Sequence, residues 1–338
     1  MPRLYVGTNG LAVWSSNDLG DTLTRMGSGM GMYSGSQVWA LSIRKGATSE
    51  LLAGTNSGIY RLDPDGARWW HMPSPMDKLL VTSLACSPHH PDVMLAGTQP
   101  AALYRTEDAG KTWRKLDVPM KPYATIGFQG VTTAQPEAVK HWTRVTQIVF
   151  DPKNPSAVWA GVEIDSAWRS TDGGEHWERT PQGFISEDVH GFGLMDGEAV
   201  DGEARTLFAT TEAGLHESRD GGASWTFRPI PSDWQYVRSI AERADHSGVL
   251  FLTNGNGAPG TRGRLWRSCD RGAHWEDAGL PGIVESSLYF LAVNAADPNL
   301  VFAAATLGQL YRSTDGGETW AALRQRLGEI RCLAWLPD

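Results

Sequence analysis

Cysteine is scarce in this chain: Cys86, Cys269 and Cys332 are all there is in 338 residues, far apart and with no CxxC pair. That excludes a disulfide framework and a cysteine-built zinc site, and it predicts reduced thiols in cytoplasm. Charge is sparse too, at 20% of residues, and the balance is acidic at −8. No basic stripe is available for a phosphate backbone, so nucleic acid is not an expected partner. No apolar run reaches the about 18 residues of a membrane-spanning helix, so no membrane partner is expected either. Residues 1–7 lack the charged-then-apolar layout of a secretory leader, which adds to the expectation of a cytoplasmic protein. There is no HExxH and no cluster of histidines, so neither metal nor cofactor is expected. Sustained 3.6-residue apolar periodicity is missing as well, and helices should be minor.

What the chain has in quantity is glycine, 38 of it, and tryptophan, 15 against 8 Tyr and 9 Phe. Hydrophobic residues make up 41%, enough for a large core. The tryptophans are not scattered. A box, Ser/Thr-x-Asp-x-Gly-x-x-Trp, recurs as Thr106, Asp108, Gly110, Trp113, then as Ser170, Asp172, Gly174, Trp177. It returns at Ser218, Asp220, Gly222, Trp225, at Ser268, Asp270, Gly272, Trp275 and at Ser313, Asp315, Gly317, Trp320. Two copies are worn: Ser16, Asp18 and Gly20 end in Leu23, and Leu62, Pro64, Gly66 and Trp69 keep only the Gly and Trp.

The Asp positions of these copies are spaced by 46, 44, 64, 48, 50 and 45 residues. A period near 45 fits a four-stranded propeller blade. Short β-type runs bounded by Gly, Pro, Asn and Asp fill each unit. The prediction is an all-β, single seven-bladed β-propeller over residues 1–338, with an insertion at about 119–144 in the wide spacing. That insertion carries Tyr123, Phe128, Gln129, Gln135, His141 and Trp142, and loops of this length are often lids or binding walls. A second insertion, 195–205, reads as an exposed hairpin. Arg3–Gly7 resembles a second strand without its first, and 329–336 resembles a first strand without a follower. The C-terminal strand should therefore join the N-terminal blade and close the ring, removing exposed edges.

At this spacing the Asp carboxylate can accept backbone N–H groups of its own turn, and the hydroxyl two residues earlier adds a further bond. The Gly supplies a positive φ or a close approach. The Trp packs its face on a neighbouring strand, its N–H finding a partner. The recurrent aspartates are thus read as scaffold, and the box as the hairpin between third and fourth strands.

The box resembles that of the BNR, or Asp-box, repeat propellers, along essentially the whole chain. That superfamily includes sialidases, xyloglucan-active glycoside hydrolases, sortilin-type receptors and photosystem II assembly factors, with the boxes at the periphery and the ligand site central. The resemblance implies the fold and leaves function open. The Arg-Ile-Pro motif of sialidases does not occur here, so sialidase activity is not expected. Xyloglucan-active relatives pair two propellers around a cleft and use two Asp, whereas this chain supplies one propeller.

The face opposite the boxes collects the second-to-third loops and the leads into each innermost strand, and it is the default site. There Glu163, Asp165, Asp188 and Glu212 come from successive units as catalytic candidates, since glycoside hydrolysis needs two carboxylates about 5 to 9 Å apart. Substrate-binding candidates are Trp39, Arg144, His190, Tyr236, Arg238, Tyr289 and Arg331, from the innermost strands and their leading residues. The three arginines either clamp a carboxylate or phosphate or pair with Asp188, Glu285 and Glu329. The glycine-rich run 254–264 matches no P-loop and reads as a plain loop. His89-His90 lies in a first-to-second strand turn and reads as scaffold. The expected function is a glycoside hydrolase-like protein acting on a small carbohydrate or acidic ligand in the channel. The alternative is a non-catalytic propeller that binds a ligand or a protein partner on the same face.

Overall fold

The computed structural model describes residues 2–30, 35–46, 49–126, 139–195 and 205–337. Among them there is no helix; seven four-stranded antiparallel sheets follow one another along the chain. Their innermost strands are Ile330–Leu336, Val38–Lys45, Leu80–Cys86, Val145–Phe150, Val189–Leu194, Tyr236–Glu242 and Leu288–Ala292, here blades 1 to 7. Blade 1 is a composite. Arg3–Thr8 pairs with Val13–Ser16 on one side and with Ile330–Leu336 on the other, so Leu4 faces Trp335 and Val6 faces Leu333. The two ends of the chain close the ring as the repeat phase requires.

Six boxes share one hydrogen-bond pattern. The hydroxyl of Ser16, Thr106, Ser170, Ser218, Ser268 or Ser313 donates to its Asp at 2.5 to 2.8 Å. The same oxygen accepts the N–H of the box glycine, as from Gly317 at 2.8 Å. The Asp then accepts the N–H four residues on, as from Thr319 at 2.9 Å. Held by these donors, the carboxyls of Asp18, Asp108, Asp270 and Asp315 are lowered to about 2. Each box glycine also has a positive φ, +86° at Gly317, where a Cβ would strike Phe251 of the preceding blade. A turn and an inter-blade contact are therefore fixed together, which is why the box survives in so many copies. In the worn second box, Asp65 takes over by accepting from Ala67 at 2.8 Å. The box tryptophans divide: Trp69 donates to Met26 O and Trp177 to Gly174 O, while the buried Nε1 of Trp113, Trp225 and Trp320 has no partner. Area burial, not hydrogen bonding, is what those rings contribute.

The insertion between blades 3 and 4 begins and ends as a two-stranded hairpin, Tyr123–Ile126 with Val139–Trp142. Phe128, Gln129 and Gln135 lie outside the described residues, as does 196–204 of the second insertion. Of that second segment, Met195 is fully buried and Arg205 bonds Asp151, so both its ends are tied down.

Candidate active site

Each innermost strand carries the same irregularity. After one aliphatic residue that is fully buried (Ile330, Val38, Val81, Val145, Val189, Val237, Leu288), the ladder skips and a bulge forms. A bulge leaves a residue unpaired and re-aims its side chain. The seven bulge residues are Arg331, Trp39, Thr82, Thr146, His190, Arg238 and Tyr289, and all seven line a cavity of 240 Å³ on the ring axis. Several latch one blade to the next: Thr82 donates to Val145 O and Thr146 to Val189 O, each at 2.7 Å, and His190 Nδ1 meets Val237 O at 2.6 Å. The axis is thus ringed by one side chain per blade.

Residues just before the buried aliphatics form a second tier at the mouth away from the boxes. Arg144, Asp188, Tyr236 and Glu329 line a 520 Å³ cavity there with Glu163 and Glu212 from the second-to-third loops. Arg144, Arg238, Tyr289 and Arg331 border both spaces, which makes them continuous.

The charges in this space are unevenly matched. Glu163 is held by Arg144 at 2.9 Å and by His141 at 3.2 Å. Glu329 accepts from Arg331, while Glu285 is paired with Arg326 instead. Arg238 has no carboxylate within salt-bridge distance among the described residues. Its guanidinium sits 4.1 Å over the Tyr289 ring and donates to the Tyr236 hydroxyl at 3.1 Å. Burial pushes the Tyr236 phenol up against the opposing charge of Arg238, so it stays protonated and bonds Tyr289 at 3.1 Å. Asp188 is half-buried, and its loss of solvent alone would raise its carboxyl, yet His190, Arg238 and Arg144 hold it below the usual range. Its Oδ1 is buried without a hydrogen-bond partner, as are Nε1 of Trp39 and Nε of Arg331. Unmatched buried donors and acceptors on one cavity wall are costly unless a ligand satisfies them.

Ten of the eleven residues singled out from the sequence border these two spaces. The exception is Asp165. Its carboxylate is buried away from the channel, where it accepts the Lys121 N–H at 3.0 Å and the Arg179 Nε–H at 3.1 Å and so anchors the base of the hairpin. Trp39 is on the wall but is not an open stacking platform, because Arg331 lies 4.0 Å over its ring and Arg144 5.2 Å. The open aromatics are at the rim: Tyr123 and Trp142, 42% and 52% exposed, meet edge to face on the hairpin. Asn254 of the glycine-rich loop is scaffold, donating to Ser232 and Trp234 and accepting from Trp266. His89 is scaffold too, bonded to Asp151 O. Sequence reasoning missed Thr82 and Thr146, although the phase of the buried aliphatic residue marks both. No group of three or more metal-ligating side chains occurs among the described residues, and no helix is long and apolar enough to cross a membrane.

The fold and its six regular boxes define the class: this is a β-propeller of Asp-box repeats, and residues 311–322 match the family model of the BNR/Asp-box repeat. The chain is 26% identical over 79% of its length to a xyloglucanase from a Paenibacillus species. It is 22% identical over 78% of its length to xyloglucanase Xgh74A of Acetivibrio thermocellus. It spans only 29% and 35% of those two proteins. Among solved structures it is similar to a GH74 enzyme of Niastella koreensis, with a TM-score of 0.63 at 16% identity over 84% of this chain and 45% of that one. It is also similar to YCF48 bound to D1 peptide, with a TM-score of 0.53 at 15% identity over 85% and 82%. At these identities the structural likeness speaks for the fold.

Proposed function

We propose that this propeller is a glycoside hydrolase-like protein that takes a small carbohydrate or acidic ligand into the channel mouth away from the boxes. The observation that carries the reading is the meeting of Asp188, Glu212 and Glu163 with Arg144, Arg238 and Arg331 on a single 520 Å³ cavity. The xyloglucanase relatives support a sugar as the ligand. Within the cavity Glu163 is occupied by Arg144 and His141, which leaves Asp188 and Glu212 for chemistry. Asp188, held ionised, suits the role of base or nucleophile. Glu212, on the same cavity, accepts from the Ser186 hydroxyl at 3.0 Å and supplies the second carboxylate that the reaction needs. Arg238, without a carboxylate of its own, suits an acidic substituent of the ligand.

The test is a screen of aryl glycosides with Asp188→Asn and Glu212→Gln as controls. The reading expects turnover that falls by about 100-fold or more in each variant. Turnover indifferent to both changes would overturn the residue assignment.

A second reading, a protein laid across the same face, is favoured by one observation. Leu11, Tyr123, Trp142, Ile185, Ile283 and Leu307, six of the seven exposed large hydrophobics among the described residues, lie on the loops and hairpin of the mouth face. Binding without turnover on every sugar tried would favour it.

A further inference from the structure

The channel does not end at its waist. A third cavity of 500 Å³ opens at the box-side end, and it shares Leu84 and Ile148 with the waist. The three spaces therefore run end to end along the ring axis, and an innermost strand of six residues spans about 20 Å of it. Their walls differ in kind. The mouth carries Arg144, Arg238 and Arg331 among four carboxylates, with Arg144 paired to Glu163 and Arg331 to Glu329, whereas the box-side cavity is walled by Leu84, Ala85, Ile148, Phe150, Leu194 and Val293. Its polar groups are engaged within the protein: Ser42 donates to Cys86 Sγ at 3.5 Å, Glu242 is engaged by His246 at 3.4 Å, and Asn294 donates to Trp335 O at 2.9 Å. Arg238, which has no carboxylate within salt-bridge distance among the described residues, above an apolar cavity is complementary to one ligand shape, an acidic head on a hydrocarbon tail.

We propose that the channel binds a single-chain amphiphile head-up, its acidic group against Arg238 and Arg331 and its tail threaded past the bulge residues into the box-side cavity. The orphan Nε–H of Arg331 and the unpaired charge of Arg238 meet the head. The tail displaces water from the aliphatic walls of that cavity. Cys86, whose thiol is half-buried on the wall of the box-side cavity, reports on the tail directly. This goes beyond the sugar reading and does not depend on it.

Calorimetric titration of the whole protein with hexanoate, octanoate, decanoate and dodecanoate below their micelle concentrations tests it, with decanol, decylamine and acetate as controls. The affinity should rise about fourfold per added methylene. Decanol and decylamine should bind at least tenfold more weakly than decanoate, and acetate should not compete. Decanoate, and not acetate, should slow alkylation of Cys86 by N-ethylmaleimide, read peptide by peptide against the exposed Cys269. Arg238→Gln should weaken every acid by a similar factor, whereas Cys86→Phe should flatten the chain-length series. A series flat in the wild type, equal binding of decylamine, or Cys86 alkylated at an unchanged rate in saturating decanoate would overturn the proposal. Glycoside turnover together with a flat series would leave the function reading standing and remove this one.

Discussion

Nε2 of His190 lies 3.3 Å from Oδ2 of Asp188, while Nδ1 of the same ring lies 2.6 Å from the carbonyl of Val237. A carbonyl can only accept, so Nδ1 carries the proton. A hydrogen bond to Asp188 then needs a second proton, which burial and the charge of Arg238 resist by lowering the His190 imidazole. Asp188 acts against this, raising it. At neutral pH the pair is thus a neutral imidazole beside a carboxylate, short of one proton.

That arrangement has a spectroscopic consequence. His190 should titrate below the ordinary 6.5 in the wild type, and lower still in Asp188→Asn, where the anion is gone. NMR of the ring protons across pH 4 to 8 reads both values. A His190 that titrates at or above 6.5 would contradict the picture of the site.

A different histidine sets acid stability. His216 is fully buried between Phe184 and Phe227, accepts the Ile185 N–H at 3.3 Å, and is lowered to about 4 by burial. The unfolded chain takes up this proton near 6.5 and the folded chain does not, so stability is full above 6.5 and declines as pH falls toward 4. The loss is about 3 kcal/mol at most for a shift of that size. The box aspartates, lowered to about 2, cost stability only as pH falls through the ordinary carboxylate range near 4, so they add little at pH 4.5. Urea unfolding at pH 7 and pH 4.5 should show the decline in the wild type and a smaller one in His216→Gln. Parallel declines would remove His216 as the cause.

Gly317→Ala tests the box as a joint between blades. The substitution demands a positive φ of an L residue and drives a Cβ into the ring of Phe251. About 2 to 4 kcal/mol should be lost, read as a lower urea midpoint at unchanged slope. By comparison Gly279→Ala, also at positive φ but with nothing near its Cβ, should cost only about 1 kcal/mol. Equal losses would mean that the inter-blade contact is unimportant.

Ring closure rests on the last strand. Removing residues 329–338 strips Arg3–Thr8 of its inner partner and exposes Leu4, Val6 and the cluster around Trp335. Such a chain should lose cooperative thermal unfolding. A sharp transition near that of the full chain would refute the closure argument.

The blades were legible because the box is local. Its bonds join residues two and four apart, so the sequence spells out the hairpin even where long-range packing is unknown. The closing strand was legible from repeat phase alone. The site was legible by position but not by orientation: Asp165 and Glu163 are two apart on one loop, yet only Glu163 reaches the mouth. Ile164 between them takes a positive φ and turns the loop, and on the innermost strands simple alternation fails because the bulge after each buried aliphatic residue shifts the inward register by one. The same bulge explains how Thr82 and Thr146 join a wall that a search for charged and aromatic residues passes over. Arg238's stack on Tyr289 spans two blades, and no pattern within one repeat foretells it.

The central claim is that the ligand site is the channel mouth away from the boxes. Diffraction from crystals soaked in an acidic sugar such as glucuronate tests it most directly. The account predicts density between Asp188 and Glu212, with the carboxylate against Arg238, and none in crystals of Arg238→Gln. Ordered sugar on the box face or on the outer strands, with the mouth free of it, would contradict the account.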